Sequence, residues 1–246
     1  MSHGQAASRR PAKALVTGAT SGLGRAIAER LARDDIEVIV HGRSALRGDE
    51  TVKGIAEAGG RARFVAADLA ETTDVMRLGE AAADVDVLVN NAGFSWFGPT
   101  ADLSAETFDA LFASNVRAPY FLVAALGPAM AAKGSGSIVS ISSMAARVGL
   151  SGGAVYGATK AALEAMTRSW AAEYSPSGVR VNAVAAGPVY TDGALPERTS
   201  ALGATTLLQR AARAEEIAEV VAFLVSPQAS YLTGAIVAAD GGRTAI

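Results

Sequence analysis

Short β-branched runs alternate with longer stretches of helical period along nearly the whole chain. "AKALVTG" (12–18) reads as a strand. "LGRAIAERLARD" (23–34) reads as a helix with Leu23, Ile27 and Leu31 on one face, because residues four apart share a side of a 3.6-residue turn. "IEVIVHG" (36–42) is a second strand, and "ETVKGIAEAGG" (50–60) a helix stopped by a glycine pair. Strands "ARFVAADL" (62–69) and "VDVLVNNAG" (85–93) follow, with a helix over 71–84 between them. A long helix begins near Ser104, where "SAET" offers a capping hydroxyl. Strand "GSIVSISS" (136–143), a helix over 153–174, strand "GVRVNAVAAG" (178–187), a helix over 213–226 and strand "GAIVAADGG" (234–242) complete the series.

Strands this apolar must be covered on both faces, and alternation with helices supplies the cover. The pattern predicts the α/β class: a single doubly wound Rossmann domain, with a central parallel sheet of about seven strands and helices on both faces. No repeat or composition break divides it. The domain is expected over 12–246, after a disordered tail over 1–11. Residues 188–210 depart from the pattern, with Leu195, Leu202, Leu207 and Leu208 scattered among polar residues, Pro196 and Gly203. That segment is expected to be a mobile lid over a substrate site, although a plain surface loop fits the pattern equally.

Composition narrows the chemistry. Of 246 residues, half are apolar and 19% charged, with a net charge of −2, which leaves no electrostatic footprint for nucleic acid or an anionic membrane. The absence of cysteine excludes a disulfide framework, a thiolate nucleophile and a zinc–thiolate site. His3 and His41 are the only histidines, so a His-rich metal site is excluded and a hydrolase would have a single candidate base. The basic start "MSHGQAASRRPA" has no apolar run behind it, unlike a secretory signal. "YFLVAALGPAMAA", from Tyr120, is too short for a bilayer span and contains Pro128. The expectation is a soluble cytoplasmic protein with neither nucleic acid nor membrane as partner.

Between the first strand and first helix lies "TGATSGLG", with Gly18, Gly22 and Gly24 spaced G-x-x-x-G-x-G. Glycines there allow a tight turn and close backbone approach to a pyrophosphate, which the N–H groups and positive end of the helix would hold. The second strand ends in "HGRS", with Arg43 and Ser44 where a ribose-binding carboxylate would otherwise be expected. An arginine there can form charge-assisted bonds to a 2′-phosphate, which predicts NADP(H) preferred over NAD(H). On the helix over 153–174, Tyr156 and Lys160 stand at i and i+4, side by side. An ammonium beside a phenol favours the phenolate and would draw the tyrosine from its usual pKa near 10 toward a useful range. Ser143 ends the fifth strand thirteen residues before Tyr156, at the sheet edge where ligands of such folds sit.

With these blocks in order, together with "NNAG" (90–93), Asn115 in "SNV" and the C-terminal "YLTGAIVAADGG", the chain resembles the short-chain dehydrogenase/reductase family from Lys13 to Arg243. The resemblance implies a catalytic tetrad of Asn115, Ser143, Tyr156 and Lys160. Tyr156 would exchange a proton with the substrate oxygen, Ser143 would orient that oxygen, Lys160 would bind the nicotinamide ribose and lower the phenol's pKa, and Asn115 would hold a relay water. Ser142, one residue off on the strand, should point elsewhere.

It further implies that Gly18, Thr20, Ser21, Gly22, Leu23 and Gly24 cradle the cofactor, that Asp68 and Leu69 lie by the adenine, and that Asn90, Asn91, Ala92 and Gly93 run along it. Gly187, Val189 and Thr191 would fix the carboxamide. Asp68 is equally readable as a helix N-cap. Ala186 departs from the family's usual proline before Gly187. No metal is required. The implied activity is reversible reduction of a small-molecule carbonyl to an alcohol, by a homotetramer or homodimer built on the two long helices and the last strand. Phe94, Trp96, Phe97, Met144, Val148 and Tyr190 suggest an apolar mouth. A 3-oxoacyl-thioester reductase of fatty-acid type shares every motif; a non-catalytic NADP-binding sensor or scaffold is the reading from another class.

Overall fold

A computed structural model describes residues 12–193 and 195–246. The expected tail lies outside the described residues. Six strands, β1 (Lys13–Val16), β2 (Glu37–Gly42), β3 (Ala62–Ala66), β4 (Val87–Asn90), β5 (Gly136–Ser143) and β6 (Val179–Ala186), join the edge strand Ile236–Ala239 in one sheet. The order is β3-β2-β1-β4-β5-β6 and then the edge strand, and every neighbouring pair is parallel. Sequence order reverses between β1 and β4, so a crevice opens beyond the carboxyl ends of those two strands.

Helices cover both faces, as two-sided burial of β1, β2, β4, β5 and β6 demands. One face carries α1 (Gly22–Arg33), α2 (Ala45–Glu57) and α8 (Ala214–Val225), whose Ile27, Leu31, Ile55, Ile217 and Val221 join one apolar cluster. The other carries α3 (Thr72–Ala81), α5 (Ala118–Lys133) and α6 (Ala154–Tyr174), contributing Leu78, Leu122, Leu126, Leu163 and Trp170.

Four details depart from the sequence pattern. Helix α2 starts at Ala45 rather than Glu50: Ser44 caps it by accepting from the Arg47 N–H (3.4 Å). Gly48 looks like a turn residue, but a Cβ there would lie 2.2 Å from the Phe64 ring, so the glycine serves close helix–sheet packing. The long helix from Ser104 is broken into α4 (Ala105–Phe112), a π-turn (Ala113–Arg117) and α5. Ser104 caps it through the Thr107 N–H (3.2 Å). Because the three pieces are continuous, Ala105–Lys133 is 29 residues long and apolar enough by length and composition to cross a bilayer. Here Leu122, Val123, Leu126 and Met130 are instead packed against the sheet.

The expected lid contains more regular structure than its pattern suggested. Val189 and Tyr190 pair with Ala212 and Arg213, and between them runs α7 (Pro196–Gly203), with proline at its first position. Leu195, Leu207 and Leu208 are exposed.

The edge strand is secured by a buried amide. Asn182 of β6 accepts from the Ala235 N–H (3.1 Å) and donates to the Leu232 carbonyl (2.9 Å). Asn182→Ala should leave both backbone groups short of a partner and cost about 1–3 kcal/mol in urea unfolding, with faster amide exchange concentrated over 232–239. An unchanged midpoint would show that water replaces the amide there.

Candidate active site

The turn after β1 is tied down from three directions. The Thr17 hydroxyl accepts from the Asn91 and Ala92 N–H groups (3.0 Å each), and the Asn91 amide donates to the Thr17 carbonyl (2.8 Å). The Gly18 N–H donates to His41 Nδ1 (3.1 Å). Gly18 and Gly22 have φ of +64° and +50°, a region L side chains rarely adopt. A Cβ at Gly24 would meet the Gly18 carbonyl oxygen at 2.1 Å, so backbone is pressed against backbone.

The cradle itself fits a pyrophosphate. Ser21 stands at the N-cap of α1 without a side-chain capping bond, and the first turn holds no acidic residue. The end of α1 therefore keeps N–H groups and positive potential available to an anion. Among the described residues the Gly22 N–H is met only by a long contact to Asp192 Oδ2 (3.3 Å). Thr20 is buried against Gly42, and Leu23 is half-buried at the start of the helix. Beyond β2, Arg43 is exposed at the end of the strand, with Ser44 engaged in capping α2. Asp68 is half-buried beyond β3 and accepts from the Ala70 N–H (3.0 Å), a local turn rather than the N-cap of α3, which is Glu71. The Leu69 side chain lies in the core, leaving its backbone for any ligand. Beyond β6, the Gly187 N–H donates to the Ala239 carbonyl (3.0 Å), and a Cβ there would meet Asp240 Cα at 2.6 Å. Ala186 continues the β6 ladder opposite Ala239, so the turn forms without the proline. Val189 and Thr191 follow, and Thr191 lies directly over Gly22.

Next to this cradle stand the four residues expected to react. Ser143 ends β5, with its hydroxyl accepting from the Ala145 N–H (3.2 Å). Ser142 faces the other way and donates to Glu164 Oε1 (2.9 Å). Tyr156 is half-buried on the first turn of α6, with the Phe97 ring tilted against it at 5.7 Å. Lys160, one turn on, is buried; its Nζ donates to the Ile141 carbonyl (2.8 Å) and lies 5.8 Å from the Tyr156 ring centroid. Asn115 sits in the π-turn, where the extra residue pushes its side chain inward. Its amide exchanges bonds with the Phe94 backbone (2.9 and 3.1 Å) and donates to Thr159 Oγ1 (3.1 Å). Gly93 leaves the room between them: a Cβ there would lie 2.6 Å from Asn115 Oδ1 and 3.7 Å from Lys160 Nζ.

The electrostatics differ from the expectation for the phenol. Burial pushes the Tyr156 pKa up, and a hydrogen bond with Ser143 pulls it down by less. Lys160 does not lower it here, because Nζ is aimed at a backbone carbonyl and views the ring from 5.8 Å. Burial likewise pulls the Lys160 ammonium down to about 8. At neutral pH the pair is a protonated phenol beside a cation.

The residue that sequence reasoning missed is His41. It is buried, with Nδ1 accepting from Gly18 and Nε2 donating to the Ala67 carbonyl (3.1 Å), so it stitches the glycine turn to the end of β3. Those two bonds require the neutral Nε2–H tautomer. Its position in an unbroken apolar strand, "VIVHG", was the available signal. Asn90, by contrast, is buried at the end of β4, and neither of its side-chain atoms finds a partner among the described residues.

Comparison with known proteins agrees with this architecture. A family model described as enoyl-(acyl carrier protein) reductase matches residues 18–244. The chain is 40% identical over 246 residues to cis-4-hydroxycyclohexanecarboxylate dehydrogenase of Sinomonas cyclohexanicum, covering 95% of this chain and 96% of that protein. A solved short chain dehydrogenase/reductase family protein superposes with a TM-score of 0.89 at 47% identity, over 96% of this chain and 98% of the other. A short chain dehydrogenase from Burkholderia cenocepacia, solved in complex with NADP, gives 0.87 at 36% identity over 94% and 97% of the two chains. The chain belongs to the short-chain dehydrogenase/reductase family and is an NAD(P)-dependent oxidoreductase.

Burial lowers the His41 pKa from 6.5 to about 4. The unfolded chain therefore takes up a proton that the folded chain refuses, and stability falls with decreasing pH between those values. The slope from this group is about 1.4 kcal/mol per pH unit, flattening once the folded imidazole also protonates. Urea titrations from pH 7 to 4 should show this component in the wild type and not in His41→Asn. Parallel curves for the two proteins would mean that His41 titrates normally.

Proposed function

We propose that the protein catalyses reversible hydride transfer between NADP(H) and a carbonyl or alcohol substrate, with Tyr156 as the proton donor and acceptor. The observation that carries this reading is the meeting of Ser143, Tyr156 and Lys160 beside an uncapped helix end framed by glycines. A bound nicotinamide would supply or accept the hydride. The chain's own residues manage the oxygen and its proton. Ser143 and Tyr156 hold the substrate oxygen between two hydroxyls. Tyr156, kept protonated by burial, gives up its proton as negative charge develops on that oxygen. The Lys160 ammonium uses one donor on the Ile141 carbonyl and keeps two for the nicotinamide ribose hydroxyls. Asn115 shapes the wall behind Lys160 and steadies the path by which the proton returns from solvent.

Arg43, exposed at the end of β2, supports a 2′-phosphate contact and hence NADP(H) over NAD(H). Thioester substrates are a second reading, favoured by the description of the matching family model. Activity on acetoacetyl thioesters well above that on simple ketones would select it.

Two variants test the main reading. Tyr156→Phe keeps the ring against Phe97 and removes the proton donor. Turnover should fall at least about a thousandfold while the NADPH Kd moves less than about threefold. Retained turnover would remove Tyr156 as the proton donor, whereas wild-type protein that binds NADPH and never oxidises it across a broad carbonyl panel would fit a sensor. Arg43→Leu should lower kcat/KM for NADPH about ten- to a hundredfold and leave NADH unchanged. Equal or better efficiency of the wild type with NADH would remove the cofactor preference.

A further inference from the structure

A second charged group reaches the ring that leans on Tyr156. Arg198, on the first turn of α7, lays its guanidinium over the Phe97 ring, with Cζ 4.3 Å from the ring centroid. Phe97 is the same ring that leans on Tyr156. The three side chains form a row of cation, aromatic ring and phenol, with the two rings tilted at 50°. Beside it lies an open hollow of about 620 Å³, whose floor is backbone where the Gly98 N–H donates to the Gly152 carbonyl (3.1 Å). Pro99, Thr100 and Ser151 complete its wall, and Arg198 is the only charged residue lining it among the described residues. No carboxylate among the described residues pairs with that guanidinium. The orientation of α7 is fixed by the Tyr190 hydroxyl on Ser200 (2.8 Å) and by the burial of Thr199.

Stacking occupies the face of a guanidinium and leaves its edge donors in the plane, spread for a bidentate acceptor. An arginine laid over a ring, lining a hollow and paired with no carboxylate among the described residues has donors to offer an anion. The geometry points to Arg198 as a carboxylate-binding, specificity-determining residue, and to a small oxo acid (or the matching hydroxy acid) as the substrate class. Its carboxylate would sit on the Arg198 edge, two layers from Tyr156, so acid and reacting carbonyl lie at opposite ends of the molecule. The apolar stretch between them would run along Phe97. This assignment rests on the carbonyl-reductase reading of the same site.

The test is reduction of 4-oxopentanoate, 5-oxohexanoate and 6-oxoheptanoate, each beside its methyl ester, by wild type, Arg198→Leu and Arg198→Lys. The wild type should favour at least one acid over its ester by about tenfold in kcat/KM. Arg198→Leu should erase that preference through KM, with kcat and the ester rates unchanged, and Arg198→Lys should restore part of it. Esters preferred by the wild type, or an acid-to-ester ratio unmoved by Arg198→Leu, would overturn the proposal and leave the reductase reading standing. If no compound in a broad carbonyl panel is reduced, the reductase reading fails. Calorimetric binding of the three acids to the NADP⁺ complex then decides the carboxylate site. Binding by wild type and its loss in Arg198→Leu would uphold the site, and no binding would end it.

Discussion

An ammonium buried with one protein hydrogen bond is the constraint around which the site is arranged. Lys160 carries three donors, and the Ile141 carbonyl takes one of them. Burial has already drawn its pKa down to about 8, so the charge survives at neutral pH against a desolvation penalty. Such a group is stable only if the rest of the fold holds it. Three features do the holding. Helix α6 carries Tyr156 and Lys160 on one face, β5 ends in Ser143 and offers the Ile141 carbonyl, and Gly93 keeps the intervening space free of a Cβ. The π-turn that aims Asn115 inward belongs to the same arrangement, since it gives up regular helix geometry to line the wall behind the lysine.

The glycine turn shows a parallel economy on the cofactor side. Its strained conformation is held by hydrogen bonds within the protein, from the Thr17 hydroxyl, the Asn91 amide and the His41 imidazole. A neutral histidine suits this position because one nitrogen accepts from Gly18 while the other donates to Ala67. The helix end is thereby presented outward, where among the described residues the only side chain reaching it is the Asp192 carboxylate at 3.3 Å.

Much of this was legible in the chain. Short apolar β-branched runs and 3.6-residue periods follow local geometry and two-sided burial, so the parallel sheet, the long helices and the Ser104 cap could be read directly. The spacing of Tyr156 and Lys160 fixes their adjacency for the same reason. What failed were features decided by tertiary contact. Helix α2 begins at Ala45, ahead of the expected Glu50, in a turn where Ser44 caps it and Gly48 packs against the Phe64 ring. The segment 188–210 read as irregular because α7 is short and its flanking strand pair contributes two residues a side. The Tyr156 pKa was expected to fall because spacing reports the neighbour and not burial or the direction of Nζ. His41 was readable only as a lone histidine, since both of its partners are distant in sequence.

The central claim is that the free donors of Lys160 and the hydroxyl of Tyr156 converge on one reacting centre. A crystal structure of the NADP⁺ complex measures this directly. The account predicts both nicotinamide ribose hydroxyls within hydrogen-bond distance of Lys160 Nζ, and the Tyr156 oxygen facing the reactive carbon of the ring. A ribose bound away from Lys160, or a Tyr156 hydroxyl turned into the protein, would contradict it.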